Sequence, residues 1–413
     1  MRFIVSLFCV LFLLSCKETP EPQVTMKQDV EILAADAFMG RETGTEGELK
    51  AAQYVATRFE SMGVEAKGTD GYFQDFTFKP SKNPHLDPQF LKERTTDSTI
   101  TGRNVVGFLD AGAEHTVVVG AHFDHLGMGG DGSLHRGEEA IHNGADDNAS
   151  GVAMMLKIAN DLTIYAQENQ LKNNYIFIGF SGEEMGLLGS AYWVRNATID
   201  VSKVNYMINL DMVGRLNDEK TLAVHGVGTS PIFKQTLFSN NDQGLTISEF
   251  ESGVGPSDFT SFYIYDLPVL GFFTGQHEDY HKPGDDAEKL NYEGMEVIKS
   301  YLLNIIKDLE GNGKLAFRKT KNESEEVPAF KVGLGVVPDY LFTGSGMRID
   351  GISDDRPAQK AGLQKGDVVV KLGDSLVTDL MTYMKALSTF ENGQEAQVVV
   401  NRDGESLEVK VKF

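Results

Sequence analysis

AHFDHLGMGGDGSLHRGEEAIHNGADDNASG, residues 121–151, is the stretch on which the fold turns. It opens with His122-Phe123-Asp124-His125 and closes with Asp146-Asp147-Asn148. The β-branched run Thr116-Val117-Val118-Val119 leads into it, and a helix-like run over 151–161 leaves it. The order is strand, glycine-rich loop, helix start. A strand that ends in His-x-Asp and a carboxylate pair at a helix start are not what packing alone requires. Together they read as half of a metal site whose other half lies downstream.

Three further segments repeat the design. YIFIGF at 175–180 precedes Glu183-Glu184, the run at 204–210 precedes Asp211, and PVLGFF at 268–273 precedes His281. Each is almost continuously apolar, as expected of strands buried on both faces. Helix-like stretches such as 151–161 and 187–194 separate them. This alternation predicts an α/β fold with a mixed, largely parallel central sheet flanked by helices. Sites in such sheets form outside the carboxyl ends of the strands. The polar residues therefore share one rim.

The candidate ligands on that rim are His122, Asp147, Glu184, Asp211 and His281. Two histidines and three carboxylates suffice for two divalent ions if one carboxylate bridges. The cysteines are Cys9 and Cys16, so the body of the chain offers no thiolate. Histidine and carboxylate donors suit Zn2+, with Mn2+ or Co2+ as alternatives. Glu183 is the candidate general base, and its pairing with Glu184 is a costly like-charge cluster unless a cation neutralises it. Asp124 is placed to accept the other ring N–H of His122. Asp146 competes with Asp147 as a ligand; the position before Asn-Ala-Ser-Gly favours Asp147. His125, His135 and His142 read as neighbours of the site or as loop surface. Asp285 and Asp286 read as helix caps after the His281 loop. Arg215 reads either as a binder of a substrate carboxylate or as half of a structural ion pair. Met154-Met155 reads as core.

The remaining chain supplies context. A length of 413 residues allows two or three domains. A net charge of −22 argues against nucleic acid as a partner, because phosphate binding needs clustered Lys and Arg. Residues 1–15 carry one positive charge and then an apolar run too short to span a bilayer comfortably, as in a secretory leader. Leu13-Leu14-Ser15-Cys16 resembles a bacterial lipobox, which implies a lipoprotein signal peptide over 1–16 and lipidation of Cys16. A plain leader with an incidental cysteine is the alternative. The expected location is the cell envelope, lipid-anchored on the periplasmic or cell-surface side of the outer membrane. Residues 17–25 read as a tether. Residues 26–312 read as one domain that closes on a helix over 293–309, and the charged stretch 313–327 as a linker.

AHFDH, NGADDNASG, FSGEEMGLLGS, NLDMVGR and DYHKPGDD, in this order, resemble the M28 metallopeptidases, a family that includes bacterial di-zinc aminopeptidases. The likeness covers roughly residues 26–311. It implies the zinc-dependent exopeptidase fold, with His122, Asp147 and Asp211 on one zinc and Asp147, Glu184 and His281 on the other. Asp147 then bridges, Glu183 serves as base and later as acid, and Asp124 orients His122. Tyr280 matches a tyrosine that stabilises the oxyanion in some members, and Gly255-Pro256-Ser257-Asp258 resembles a loop that lines the pocket, which implies Asp258 as a pocket residue. The implied activity is removal of N-terminal residues from peptide substrates. Rival readings are a glutaminyl-cyclase-like aminoacyltransferase, a carboxypeptidase or dipeptidase, and a non-catalytic peptide-binding lipoprotein.

Residues 328–413 follow a separate logic. RPAQKAGLQKGDVVVKLGD at 356–374, a helix-like run over 380–389 and two alternating strands resemble a small β-rich PDZ domain of the bacterial protease-associated kind. Gly333-Leu334-Gly335-Val336 corresponds to its carboxylate-binding loop. The resemblance implies capture of a peptide C-terminus by strand addition at a sheet edge. The alternative is a domain that only packs on the peptidase.

Overall fold

The strands named above line up side by side at the centre of one sheet. The computed structural model describes residues 24–80, 90–91, 99–130, 132–321, 331–339, 341–342, 344–353 and 356–413. The leader, the lipobox with Cys16 and most of the tether lie outside the described residues. Among the described residues no helix is long and apolar enough to cross a membrane.

The first domain contains strands β1 (Glu65–Ala66), β2 (Phe73–Phe78), β3 (Phe90–Leu91), β4 (Ile100–Leu109), β5 (His115–His122), β6 (Asn173–Phe180), β7 (Val204–Leu210), β8 (Thr221–His225), β9 (Thr246–Phe250) and β10 (Val269–Phe273). Its helices are α1 (Met26–Leu33), α2 (Glu46–Ser61), α3 (Gly151–Glu168), α4 (Leu188–Arg195), α5 (Phe233–Ser239), α6 (Phe259–Tyr263) and α7 (Tyr292–Leu309). The strand order is β3-β2-β4-β6-β5-β7-β10-β8-β9, with β1 beside β4. The sheet is mixed. Its centre, β6-β5-β7-β10, is parallel, whereas β4 and β8 flank that centre in antiparallel register. The parallel strands are the ones whose apolar runs precede the candidate ligands, so their carboxyl ends share a rim.

Burial explains those runs. Every residue of β6 and β7 is buried, because helices cover both faces. One face packs on α1, α2, α3 and α7, with Val55, Phe59, Met154, Met155 and Ile305 in a common core. The other face packs on α4 and α6, where Trp193 stacks on Phe262 at 5.6 Å. Helix α3 runs a further two turns beyond residue 161 because its apolar stripe continues through Leu162 into the core. Helix α1 begins at a capping box: Thr25 Oγ1 accepts the Gln28 N–H, and Gln28 Oε1 accepts the Thr25 N–H.

Part of the stretch read as a linker belongs to this domain. Leu315 is buried in the main core, and its N–H donates to Asn205 Oδ1 at 2.8 Å. The Arg318 N–H donates to the Thr229 carbonyl at 2.7 Å, and the Thr320 N–H donates to Tyr263 Oη at 2.9 Å. The charge-rich sequence hides one leucine and one phenylalanine, Phe317, that pack back on the sheet side. A chain ending at residue 321 should therefore be more stable than one ending at residue 312, by the roughly 2–5 kcal/mol of a large buried side chain. Urea unfolding of the two truncated chains measures the difference.

The second domain comprises β11 (Val336–Pro338), β12 (Met347–Ile352), α8 (Pro357–Lys360), β13 (Val368–Leu372), β14 (Ser375–Leu376), α9 (Leu380–Leu387), β15 (Glu395–Arg402) and β16 (Glu405–Lys412). Its antiparallel sheet runs β11-β12-β13-β15-β16, with β14 on β13, over a separate core that includes Ile349, Val369, Val398 and Tyr383. The Gly333–Val336 turn leads into β11. Gly335 has φ 77°, and the Arg356 side chain lies against it, where a Cβ would come within 2.1 Å. The Leu334 and Gly335 carbonyls accept the N–H groups of Ala358 and Ser353, both at 2.9 Å.

Candidate metal centre

The rim of β5, β6, β7 and β10 gathers all five candidate ligands into two groups that share one residue. His122 Nε2 lies 3.4 Å from Asp147 Oδ1 and 3.3 Å from Asp211 Oδ1. His281 Nε2 lies 3.2 Å from Asp147 Oδ2 and 3.2 Å from Glu184 Oε2. Each group thus takes a different oxygen of Asp147. Donor atoms bound tetrahedrally at about 2.0–2.1 Å are roughly 3.3 Å apart, so both groups have the spacing of zinc-type coordination.

Both histidines present the same nitrogen to the cavity because the other is tied to backbone. His281 Nδ1 donates to the Gly132 carbonyl at 2.8 Å. His122 Nδ1 lies 3.2 Å from the Asp124 carbonyl and 3.7 Å from its carboxylate. Asp124 therefore reaches His122 first through its main chain. Its carboxylate faces the other way and accepts the N–H groups of Glu183 at 3.2 Å and Glu184 at 3.4 Å, and the Thr43 hydroxyl at 3.0 Å. It holds the Glu-Glu loop as much as the imidazole. Burial pushes the Asp124 carboxyl up to about 6, against the lowering effect of His122.

The electrostatics call for a cation. Burial works against protonation of His122 and His281, yet the carboxylates around them, Glu183 and Asp211 for the first and Glu184 and Asp147 for the second, raise both well above the usual range. Burial also drives Glu183 well above the carboxylate range, with His122 opposing. For Glu184 burial acts upward, but His281 and His125 outweigh it and hold the group well below that range. Two adjacent glutamates are thus pushed apart, as their different readings require.

Asp147 owes its position to long-range contacts. Asp285 Oδ2 accepts the N–H groups of Asp146 and Asp147, at 2.9 and 3.0 Å. Asp285 is fully buried and anchors the turn that carries Asp147, rather than capping the following helix. Asp146 points away from the donor groups: its Oδ1 accepts the Gly214 N–H at 2.7 Å and the Ser150 hydroxyl at 3.0 Å. Asn148 ties the same turn to the end of β7, donating to the Leu210 carbonyl and accepting the Met212 N–H. Arg215 pairs with Asp279 at 3.1 Å and Asp285 at 3.5 Å, which makes it a structural ion pair that braces the His281 loop.

The loop histidines separate. His125 is fully buried, and its Nδ1–H donates to Glu184 Oε1 at 2.8 Å, leaving Glu184 Oε2 toward His281. His142 bonds Ser133 Oγ at 2.7 Å and the Ala140 carbonyl at 3.0 Å, within the glycine-rich loop. His135 is partly exposed beside it. Arg41, inside a stretch that looked like a plain glycine-punctuated loop, is fully buried and donates to the carbonyls of Leu33, Phe123, Asn143 and Gly144. It joins the two ends of the opening stretch. Burial lowers its guanidinium to about 10.

A cleft opens over the donor groups, lined among others by Glu183, Tyr280, Met212, Ser257, Phe259 and Phe273. Tyr280 stacks on His281 with ring centroids 3.9 Å apart. Asp258 is buried, and burial raises it to about 7; its neighbours Ser257 and Phe259, not Asp258, line the cleft. The C-terminal domain reaches the same side of the molecule: a Cβ at Gly275 would come within 2.9 Å of Leu341 Cδ1.

Fold and donor set together define a class, an α/β domain with a His–carboxylate metal centre at its parallel rim. Comparison with known proteins makes this particular. Residues 104–306 match peptidase family M28, and residues 316–413 match a PDZ domain. The chain carries an M28 peptidase domain followed by a PDZ domain. It is 28% identical over 229 residues to the probable leucine aminopeptidase 2 of Aspergillus oryzae, a match that covers 47% of this chain and 42% of that protein. The chain spans about half the length of the curated relatives it matches. Its fold is similar to a Zn-dependent exopeptidase from Parabacteroides distasonis, with TM-score 0.55 and 18% identity over 68% of this chain and 96% of that one. It is similar in the same way to Porphyromonas gingivalis glutaminyl cyclase, with TM-score 0.54 and 17% identity over 69% and 97% of the two chains.

Proposed function

We propose that the chain is a zinc-dependent aminopeptidase with two ions, held by His122, Asp147 and Asp211 and by Asp147, Glu184 and His281. The donor spacing, the shared aspartate and the surplus of buried carboxylates fit that pair of ions. Bound there, such a pair activates a water and polarises a carbonyl. Glu183, in the cleft but outside both short-distance groups, takes the water's proton and passes it to the leaving amine. Tyr280 flanks the developing oxyanion. Asp124 holds the Glu183-Glu184 backbone in register with His122.

One observation carries the choice of substrate end. The charged side chains that line the cleft among the described residues are carboxylates and metal-site histidines, with no Lys or Arg. Arg215, the candidate for a C-terminal carboxylate, is engaged with Asp279 and Asp285. The cleft therefore offers a free substrate carboxylate no Lys or Arg partner, as a carboxypeptidase would need. A panel of free and N-blocked aminoacyl chromogenic peptides, with and without chelator, tests this. Chelator-sensitive cleavage of the free-amine substrates alone is expected. Loss of ammonia from an N-terminal glutaminyl peptide without cleavage would point instead to a cyclase.

His125 supplies a further check on the centre. Its bond to Glu184 orients the carboxylate, so His125→Ala should weaken one of two ion-binding steps by about 10–100-fold and leave the other. Calorimetric titration of the metal-free protein reads both steps. The PDZ domain is proposed to bring peptide C-termini to the Gly333–Val336 loop, and Cys16 to anchor the chain at the cell envelope.

A further inference from the structure

The cleft continues past the metal donors and below the rim, over adjacent positions of β7, β10 and β8. Asn209, Gly271 and His225 stand side by side there in strand register. A Cβ at Gly271 would come within 2.8 Å of Phe259, so the middle position stays bare and Phe259 covers it. The Phe259 ring stacks on His225 at 5.6 Å, and Phe250 stacks on it at 4.6 Å with 12° between planes. His225 and Asn209 both line the cleft.

This inner end is aromatic, yet the His225 ring nitrogens and Asn209 Oδ1 have no hydrogen-bond partner among the described residues. Burial lowers the His225 imidazole to about 4, so the ring is neutral at neutral pH and offers one N–H donor and one acceptor. Among the described residues none hydrogen-bonds either ring nitrogen. The Asn209 amide donates to Ser257 Oγ at 2.8 Å, whereas its Oδ1 is buried with no partner. A buried acceptor left unpaired, as Asn209 Oδ1 is, is costly, and a ligand that pairs it is favoured accordingly.

We propose that this inner pocket receives the side chain of the substrate's N-terminal residue, and that His225 and Asn209 make it selective for a neutral side chain ending in a hydrogen-bonding group, a phenol or a carboxamide. The assignment rests on the aminopeptidase reading above. A phenol O–H donates to Asn209 Oδ1 and accepts from the His225 N–H, while its ring lies in the cleft beside Phe259. A carboxamide offers the same donor and acceptor on a slimmer body. A plain apolar side chain fills the space but leaves both groups unpaired. An acidic one meets no Lys or Arg among the described residues.

The test is the kcat/KM series for Tyr, Gln, Phe, Leu and Glu p-nitroanilides on the full chain, in wild type, His225→Phe and His225→Asn. Tyr is expected to exceed Phe by about tenfold in wild type, the worth of one net hydrogen bond. His225→Phe should bring that ratio near one, and His225→Asn, which keeps a donor and an acceptor, should restore part of it. Relative rates of Gln and Tyr decide between carboxamide and phenol. A Tyr:Phe ratio equal in wild type and His225→Phe, or Glu as the best substrate, overturns the proposal. Calorimetric binding of tyrosine amide against phenylalanine amide reads the pocket without turnover. A tenfold binding preference with no cleavage would overturn the aminopeptidase reading and keep the pocket, and equal affinities would overturn the pocket.

Discussion

Glu183→Gln is expected to retain its metal content and to lose turnover by about 10²–10⁴-fold, the range that a positioned general base contributes. Glu183 lies in the cleft and takes no part in the close contacts that join His122 to Asp147 and Asp211, or His281 to Asp147 and Glu184. Glutamine has the same shape and cannot accept the proton. The backbone on either side stays fixed, because Asp124 still accepts the N–H groups of residues 183 and 184. Burial pushes the Glu183 carboxyl upward, with His122 opposing. Steady-state rates on a leucyl p-nitroanilide, paired with metal analysis of the same sample, give both quantities. Near-normal turnover would remove Glu183 from the base role.

The second large effect follows from the shared aspartate. Each donor group uses one oxygen of Asp147, at 3.4 Å from His122 and 3.2 Å from His281. Asp147→Ala should therefore lose both ions together, whereas Asp211→Ala should lose one. Activity should fall to background. Stability should fall as well, because an ion present at a hundred times its dissociation constant contributes about 2.7 kcal/mol. The variant should accordingly melt with the chelated wild type and not respond to added zinc. A variant that still binds one ion tightly would show that the two groups do not depend on a common carboxylate.

Much of this was legible in the sequence, for a physical reason. Strands β5, β6, β7 and β10 are covered on both faces, so they read as unbroken apolar runs, and the polar residues directly after them stand out. What stayed hidden depends on contacts between distant residues. Asp285 resembled a local cap, but its partners are the N–H groups of Asp146 and Asp147, well over a hundred positions earlier. Arg41 joins residues 33, 123, 143 and 144 through four carbonyls, and no local pattern announces that. His225 ends β8, which runs antiparallel to β10 and places it below the rim, so the pattern of an apolar run followed by a site residue does not mark it. Leu315 and Phe317 lie in a charge-rich stretch that reads as linker until the folded sheet offers them a surface. His125 reads from its place in the loop as a neighbour of the site; its bond to Glu184, and the close donor group it forms with Asp147 and Glu184, emerge only once β5 and β6 are adjacent.

The proposed metal centre holds two ions per chain, with Asp147 common to both donor groups. Counting the ions bound per chain, by elemental analysis of fully active protein after dialysis against metal-free buffer, tests it most directly. Two equivalents of zinc per chain are predicted. A single equivalent, or none, at full activity would contradict it.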